Sequence, residues 1–447
     1  IALSYSHLAN IYKAIGQMPE AIAVQQKTIT IMKQVAKPDY HSIAISYSNL
    51  ATIYKTTGQL HEAIAAQQKA IAIMEQAAKP DPHSIALSYS NLATIYKAIG
   101  QTDKLIVAQQ KAIAILEQAL GNNHHDLIAP YNKLSNYYKE LGQLTQALRC
   151  RQKSIVIQEQ TLGKNHPNIA LSYANMANIY QDMGQNNKAL SVQQKAIDMQ
   201  EQATAPDHQS IAISYSNLAN IYKATGQLHE ALSVQQKAID IQEQATASDH
   251  QSIAISYSNL ANIYKAIGQA DKAIAAQQKA IAIMEQAAKP DYHNIALSYS
   301  HLANIYKAIG QMPEAIAVQQ KTITIMKQVA KPDYHSIAIS YSNLSTIYKA
   351  TGQMPEAIAA QQKAIAMQEN ATAPDPQSIA LSYSHLANIY KAIGQMPEAI
   401  AVQQKTITIM KQVAKPDYHS IAISYSNLST IYKATGQMPE AIAAQQK

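Results

Sequence analysis

Apolar and polar positions alternate along this chain with two nested periods. Between Ser42 and Gly58, the residues Ile43, Tyr47, Leu50, Ala51 and Tyr54 recur three and four apart, which is the spacing of one helix face. Between Met18 and Val35, the residues Ala21, Ile22, Val24, Ile29, Ile31, Met32 and Val35 form a second, broader stripe. The two stripes take turns down the whole chain, and the pair returns every 42 residues. Gly16, Gly58, Gly100, Gly142, Gly184, Gly226, Gly268, Gly310, Gly352, Gly394 and Gly436 mark the beat.

Each unit therefore predicts two helices. The first, helix A, takes Ser42 as its N-cap, the hydroxyl accepting from a free backbone N–H. It stops at Gly58, which enters the left-handed C′ conformation at little cost. The second, helix B, opens with Met18-Pro19-Glu20-Ala21. Proline suits the first helical position and glutamate the positive end of the helix dipole. Helix B is expected to end near Lys37-Pro38, since proline disfavours helical geometry in the residue before it. Such an antiparallel hairpin cannot bury both of its faces alone, so neighbours must stack. A strict period in this range signals a solenoid. The chain 1–447 reads as one all-α array of units 1–42, 43–84, 85–126, 127–168, 169–210, 211–252, 253–294, 295–336, 337–378, 379–420 and a shortened 421–447. Residues 1–42, 295–336 and 379–420 are identical, as are 337–363 and 421–447. A specific site must therefore differ from the repeat average.

Two units depart from the pattern. They end Leu120-Gly121-Asn122-Asn123-His124-His125 and Leu162-Gly163-Lys164-Asn165-His166-Pro167. Pro130 falls near the start of a helix A, where the first turn tolerates it; a local change in superhelical curvature is expected there.

Composition alters this picture only at its edges. Tyrosine, at 27 residues, is the sole aromatic, so each ring must fill space and each buried hydroxyl must find a partner. The net charge of +7 is spread over the units, a mildly basic solvated surface with no concentrated patch for nucleic acid. The single Cys150 rules out an internal disulfide and reads as a small residue on helix B. No apolar run reaches the ~18 residues of a membrane helix. No signal peptide is visible, and a cytoplasmic setting is expected. Because the chain opens at Ile1 inside a helical unit and stops at Lys447 in mid-helix, it is expected to be a fragment of a longer array. Most histidines lie in the linkers, a repeat apart, which is the spacing of a turn residue and not of a metal site. No metalloprotease, paired-cysteine, phosphate-loop or nucleophile-elbow motif occurs. No catalytic residue, cofactor or metal is expected.

Leu50, Ala51, Tyr54, Gly58, Ala63 and Ala70 keep the spacing of the tetratricopeptide signature, with Tyr47 at a position that usually holds Trp or another large residue. The chain resembles that family in all its units. The 42-residue unit, the Asn49-Leu50-Ala51 run and the Leu162–Pro167 linker resemble its kinesin-light-chain subtype. The resemblance implies a right-handed superhelical solenoid of antiparallel helix hairpins that serves as a protein-interaction scaffold. One departure stands out. The family usually carries an aromatic on helix B where this chain has Gln25, Gln67, Gln109, Gln193, Gln235, Gln277, Gln319, Gln361, Gln403 and Gln445, with Arg151 in the fourth unit. These are either buried amides bonded to nearby Tyr hydroxyls or to the adjacent Gln, or a ligand-binding ladder.

In this family helix A lines the concave face. The resemblance thus implies a binding stripe of Asn49, Thr52 and Lys55; Asn91, Thr94 and Lys97; Asn175 and Asn178; Asn217, Asn220 and Lys223; and Asn259, Asn262 and Lys265. It continues through His301, Asn304 and Lys307; Asn343, Thr346 and Lys349; and His385, Asn388 and Lys391. Amides can satisfy a peptide backbone without reading its side chains, and a lysine row favours an acidic segment. The expected partner is a protein or peptide, acidic in character, with no nucleic acid and no membrane. Two alternatives stand beside it: a regulatory array joined to an effector domain outside this chain, and a structural array that associates head to tail.

Overall fold

The structure is a computed structural model. It describes residues 2–36, 38–164, 166–245, 249–287, 289–329, 332–371, 374–413 and 417–447. Ile1, Lys37 and Asn165, which figure in the readings above, lie outside these residues. Among the described residues there are 22 α-helices, one short 3-10 turn and no strand. They fall into two compact units, Ile1–Thr225 and Gly226–Lys447. Within each, helices that follow one another along the chain pack together, as hairpin partners and as neighbours of successive hairpins.

The hairpin of Tyr40–Thr56 and Leu60–Glu75 shows how the sequence produces the unit. Its helix A begins three residues earlier than predicted, because Asp39, and not Ser42, is the N-cap. The Asp39 carboxylate accepts from the backbone N–H of His41 at 3.1 Å and of Ser42 at 3.3 Å, and the Ser42 hydroxyl donates to it at 2.5 Å. An ionised acceptor at a helix N-terminus satisfies the free N–H groups and also faces the positive end of the dipole. Asp81, Asp207, Asp249, Asp291, Asp333, Asp375 and Asp417 do the same in other units. In the two divergent linkers a histidine takes over. His124 Nδ1 accepts from the Asp126 N–H, and His166 Nδ1 from the Asn168 N–H. That occupation explains His124 as a structural residue, although its ligand atoms and those of His125 and Asp126 lie within 4.8 Å of one another.

The far end of helix A closes as the sequence predicts. Gly58 has φ +77°, a left-handed conformation that side chains with a Cβ rarely adopt. Its N–H reaches the Lys55 carbonyl at 3.2 Å and the Gln59 N–H reaches that of Tyr54 at 2.9 Å, the paired bonds of a Schellman motif. Helix B then starts at once. In the first hairpin it runs Met18–Gln34, with Pro19 and Glu20 in the first turn. It ends short of the predicted Lys37-Pro38, with Val35 already extended. Pro130 sits in the first turn of Ile128–Glu140, as expected.

Small residues set how closely the helices approach. Ala51, Ala63 and Ala70 are wholly buried, and Leu50 and Ile53 fill the space beside them. The broken side of each hairpin is closed by its neighbour: Ile281 of one unit, for instance, shares a core with Ile295, Tyr299 and Leu302 of the next. Cys150 is buried too, and burial pushes its thiol up to about 11, so it behaves as a small apolar residue.

Candidate functional site

The implied stripe occupies one side of helix A, and its rows can be followed within each compact unit. In Gly226–Lys447, Asn262, Asn304, Thr346 and Asn388 fall at equivalent positions. Asn304, Thr346 and Asn388 are exposed and Asn262 is half-buried. One helical turn earlier stand Asn259, His301, Asn343 and His385, and one turn later Lys265, Lys307, Lys349 and Lys391. In Ile1–Thr225, Asn49 and Thr52 are exposed, whereas Asn91, Asn175, Asn178, Asn217, Asn220, Lys55 and Lys223 are half-buried.

The lysines do not stand alone. Lys55 Nζ donates to Thr94 Oγ1 of the next unit at 3.0 Å, and Lys391 Nζ to Thr430 Oγ1 at 3.2 Å. Lys97 is paired with Glu140 at 2.6 Å and Lys139 with Asp182 at 3.1 Å. The basic edge is therefore neutralised across these hairpins, where two acidic residues sit one repeat downstream. His301 and His385 meet the same row from the other side. Loss of surrounding water, and then the Lys265 charge, holds the His301 imidazole below its ordinary value; crowding and Lys349 do so for His385.

A fourth row escaped the sequence reading. Ile45, Leu87, Leu171, Ile213, Ile255, Leu297, Ile339, Leu381 and Ile423 recur at one position of helix A, and each is well exposed, from 42% at Ile45 to 69% at Leu171. This position lies four residues before the Asn/His row, hence on the same helix face. The surface is thus not purely polar. It combines an aliphatic row, two rows of amides, hydroxyls and imidazoles, and an ammonium row. The signal was present as an apolar residue at every 42nd position, but in a helix that is apolar on several sides it reads as core.

The helix B glutamines belong to the framework. Gln25, Gln67, Gln193, Gln277, Gln319, Gln361 and Gln403 are almost fully buried. Their partners are not the Tyr hydroxyls or neighbouring Gln expected from sequence. The Gln25 amide donates to the Ser46 carbonyl of the next helix A at 3.1 Å, and Gln193, Gln277, Gln319, Gln361 and Gln403 make the equivalent bond. The Tyr hydroxyls instead accept from the adjacent glutamines, as Tyr54 does from Gln26 at 2.7 Å. In the fourth unit Arg151 fills the same place and reaches the stripe, donating to Asn132 Oδ1 at 2.5 Å and Asn136 Oδ1 at 2.8 Å.

The tetratricopeptide repeat model matches residues 1–76, 84–155, 130–202, 210–286, 294–370 and 378–447, which together span nearly the whole chain. This chain belongs to the tetratricopeptide-repeat family. Its TPR hairpins are similar to those of several solved structures. One is a Podosopora anserina protein described as a kinesin light chain with nearly identical TPR-like repeats; it is 27% identical, with a TM-score of 0.41, over 47% of this chain and 100% of that one. BtubC (BKLC) from P. vanneervenii is 19% identical, with a TM-score of 0.44, over 52% of this chain and 94% of that one. A tetratricopeptide repeat protein from Parabacteroides merdae is 15% identical, with a TM-score of 0.45, over 68% and 98%. No curated protein matches the chain. TPR arrays are in general non-catalytic interaction scaffolds. Among the described residues no helix is long and apolar enough to cross a membrane.

Proposed function

We propose that this TPR array is a cytoplasmic scaffold that holds a polypeptide segment along the helix A stripe, and that the segment is both apolar and acidic. The observation that carries this reading is the exposed aliphatic row beside the amide and lysine rows, repeated at Leu297, His301, Asn304 and Lys307 and at Leu381, His385, Asn388 and Lys391. Exposed aliphatic residues aligned over several units favour an apolar partner surface. Amides beside them can bond its backbone, and the ammonium groups favour carboxylates at one edge. No residue of the stripe is proposed to do catalysis, and no cofactor or metal is assigned to it.

The test is selection from a displayed library of random dodecapeptides against the whole chain. Peptides that mix aliphatic and acidic residues should be enriched. Their binding should fall at least tenfold in a chain carrying Lys265→Glu, Lys307→Glu and Lys349→Glu, and again in one carrying Leu297→Asp and Ile339→Asp. Enriched peptides that bind both variants like the parent would place the partner elsewhere.

A further inference from the structure

The opposite side of helix A carries a second repeated feature. A Tyr ring there, such as Tyr383, lies against two side chains from the flanking B helices. Seven of the helix B copies place a glutamate at the first of these positions: Glu75, Glu117, Glu159, Glu201, Glu243, Glu285 and Glu369. The Tyr383 hydroxyl donates to Glu369 at 2.8 Å, and the Lys405 ammonium bonds the same hydroxyl while lying 3.8 Å from the carboxylate. Tyr299, Glu285 and Lys321 repeat this triad. A carboxylate held between a phenol and an ammonium is thus the resting arrangement of this position.

Three copies break the rule. Lys33, Lys327 and Lys411 stand where the others have glutamate. Lys327 Nζ bonds the Tyr341 hydroxyl at 2.7 Å and lies 5.0 Å from the ring centre, and Lys363 Nζ lies 5.9 Å from that centre. Tyr47 with Lys33 and Lys69, and Tyr425 with Lys411 and Lys447, have the same geometry. Among the described residues none of these six lysines is in an ion pair. Beside Tyr341 a cavity of about 350 Å³ opens, lined by Lys327, Leu344, Tyr348, Lys363 and Glu356. Two ammonium groups against one carboxylate leave it net positive. Cavities of about 380 Å³ and 360 Å³ stand beside Tyr47 and Tyr425.

We propose that the Tyr341, Tyr425 and Tyr47 sockets bind carboxylate side chains of an acidic polypeptide, each taking the place that the chain's own glutamate fills in the other units. The ligand's chemistry is read from the molecule itself, since Glu369 shows what the phenol and the lysine accept. The sockets are separate from the helix A stripe: Tyr341 lies five residues, or roughly 140° around the helix, from Thr346. In Gly226–Lys447 the Tyr341 and Tyr425 sockets flank one in which Glu369 already holds the carboxylate position, so an acidic segment would engage alternate repeats.

Because glutamate is the ordinary residue at this position, Lys33→Glu, Lys327→Glu and Lys411→Glu together should leave the fold intact, as circular dichroism will report. The probe is fluorescein-labelled hexaglutamate, followed by anisotropy at low ionic strength. The triple variant should bind at least about tenfold more weakly, in keeping with the loss of charge-assisted hydrogen bonds. The stripe variant Lys265→Glu, Lys307→Glu and Lys349→Glu has the same change in net charge and should stay within about threefold of the parent. Glu369→Lys should open a further socket and tighten binding severalfold. Equal losses in the two triple variants would show general charge attraction and overturn the proposal, as would unchanged binding in the socket variant or in Glu369→Lys. Loss of dodecapeptide binding in the stripe variant with hexaglutamate binding retained would separate the two faces.

Discussion

The side-chain amide of Gln361 bridges two hairpins: it donates to Ser342 Oγ of its own unit at 3.3 Å and to the Ser382 carbonyl of the next at 3.1 Å. Gln403 makes only the second kind of bond, to Ser424 at 3.2 Å, and no protein donor reaches its buried Oε1. Replacement by methionine keeps the volume but removes the hydrogen bonds. Each bond contributes about 1 kcal/mol net, whereas an orphaned buried acceptor is itself a cost. Gln361→Met should therefore lower stability by roughly 1–2 kcal/mol and Gln403→Met by clearly less. Urea unfolding of the two variants beside the parent checks the order.

The aspartate caps predict an acid-sensitive term. The Ser336 hydroxyl, helped by backbone N–H groups, holds the Asp333 carboxyl below its ordinary value. A carboxylate with a lowered folded value contributes stability that is fully present above the unfolded value and is lost as pH falls through the folded one. Asp333→Ala should cost about 1 kcal/mol at neutral pH. The difference from the parent should shrink steadily below pH 4 and vanish when both are protonated. Thermal melts across that range read it directly.

These two sites also show what the sequence could and could not reveal. The helix pair, the turn at Gly58 and the buried Ala51, Ala63 and Ala70 follow from spacing alone, because each depends on residues close in the chain. The cap was misplaced because Asp39 and Ser42 are both good capping residues and the structure uses both, one as acceptor from the backbone and one as its support. The glutamine partners lie 21 residues away in the next hairpin, a distance that no single-helix pattern reports. The exposure of Ile45 and its equivalents depends on how neighbouring A helices stack, and so does the pairing of Lys97 with Glu140.

Acidification should also act on the stripe. The His301 imidazole is held below its ordinary value by burial and by Lys265, so the folded chain disfavours its protonation. Stability is then fully present above the unfolded value near 6.5 and falls as pH drops through the lower folded value. His301→Asn installs the residue that Asn259 and Asn343 place at the same position. The parent should lose more stability between pH 7.5 and 5 than this variant does, as paired thermal melts will show. Equal losses would mean that the imidazole is free of its surroundings.

The fourth unit offers the sharpest test of the framework. Arg151 is 2% exposed, and burial pulls its guanidinium down to about 10. Two amide oxygens compensate the charge, Asn132 Oδ1 at 2.5 Å and Asn136 Oδ1 at 2.8 Å. Asn136 occupies the position of Thr52 in the stripe, so here helix B takes a stripe residue for its own use. Removing either asparagine takes away one of the two hydrogen bonds that compensate a buried charge. Asn132→Ala and Asn136→Ala should each cost about 2–3 kcal/mol, the range for a hydrogen bond to a charged buried group. Arg151→Gln restores the residue carried by every other unit and should cost less than about 1 kcal/mol, since the charge leaves with its need for partners. In the Arg151→Gln background, Asn136→Ala should become nearly silent. A double-mutant cycle of urea unfolding measures this coupling directly, and additive effects at 151 and 136 would show that the two side chains act independently.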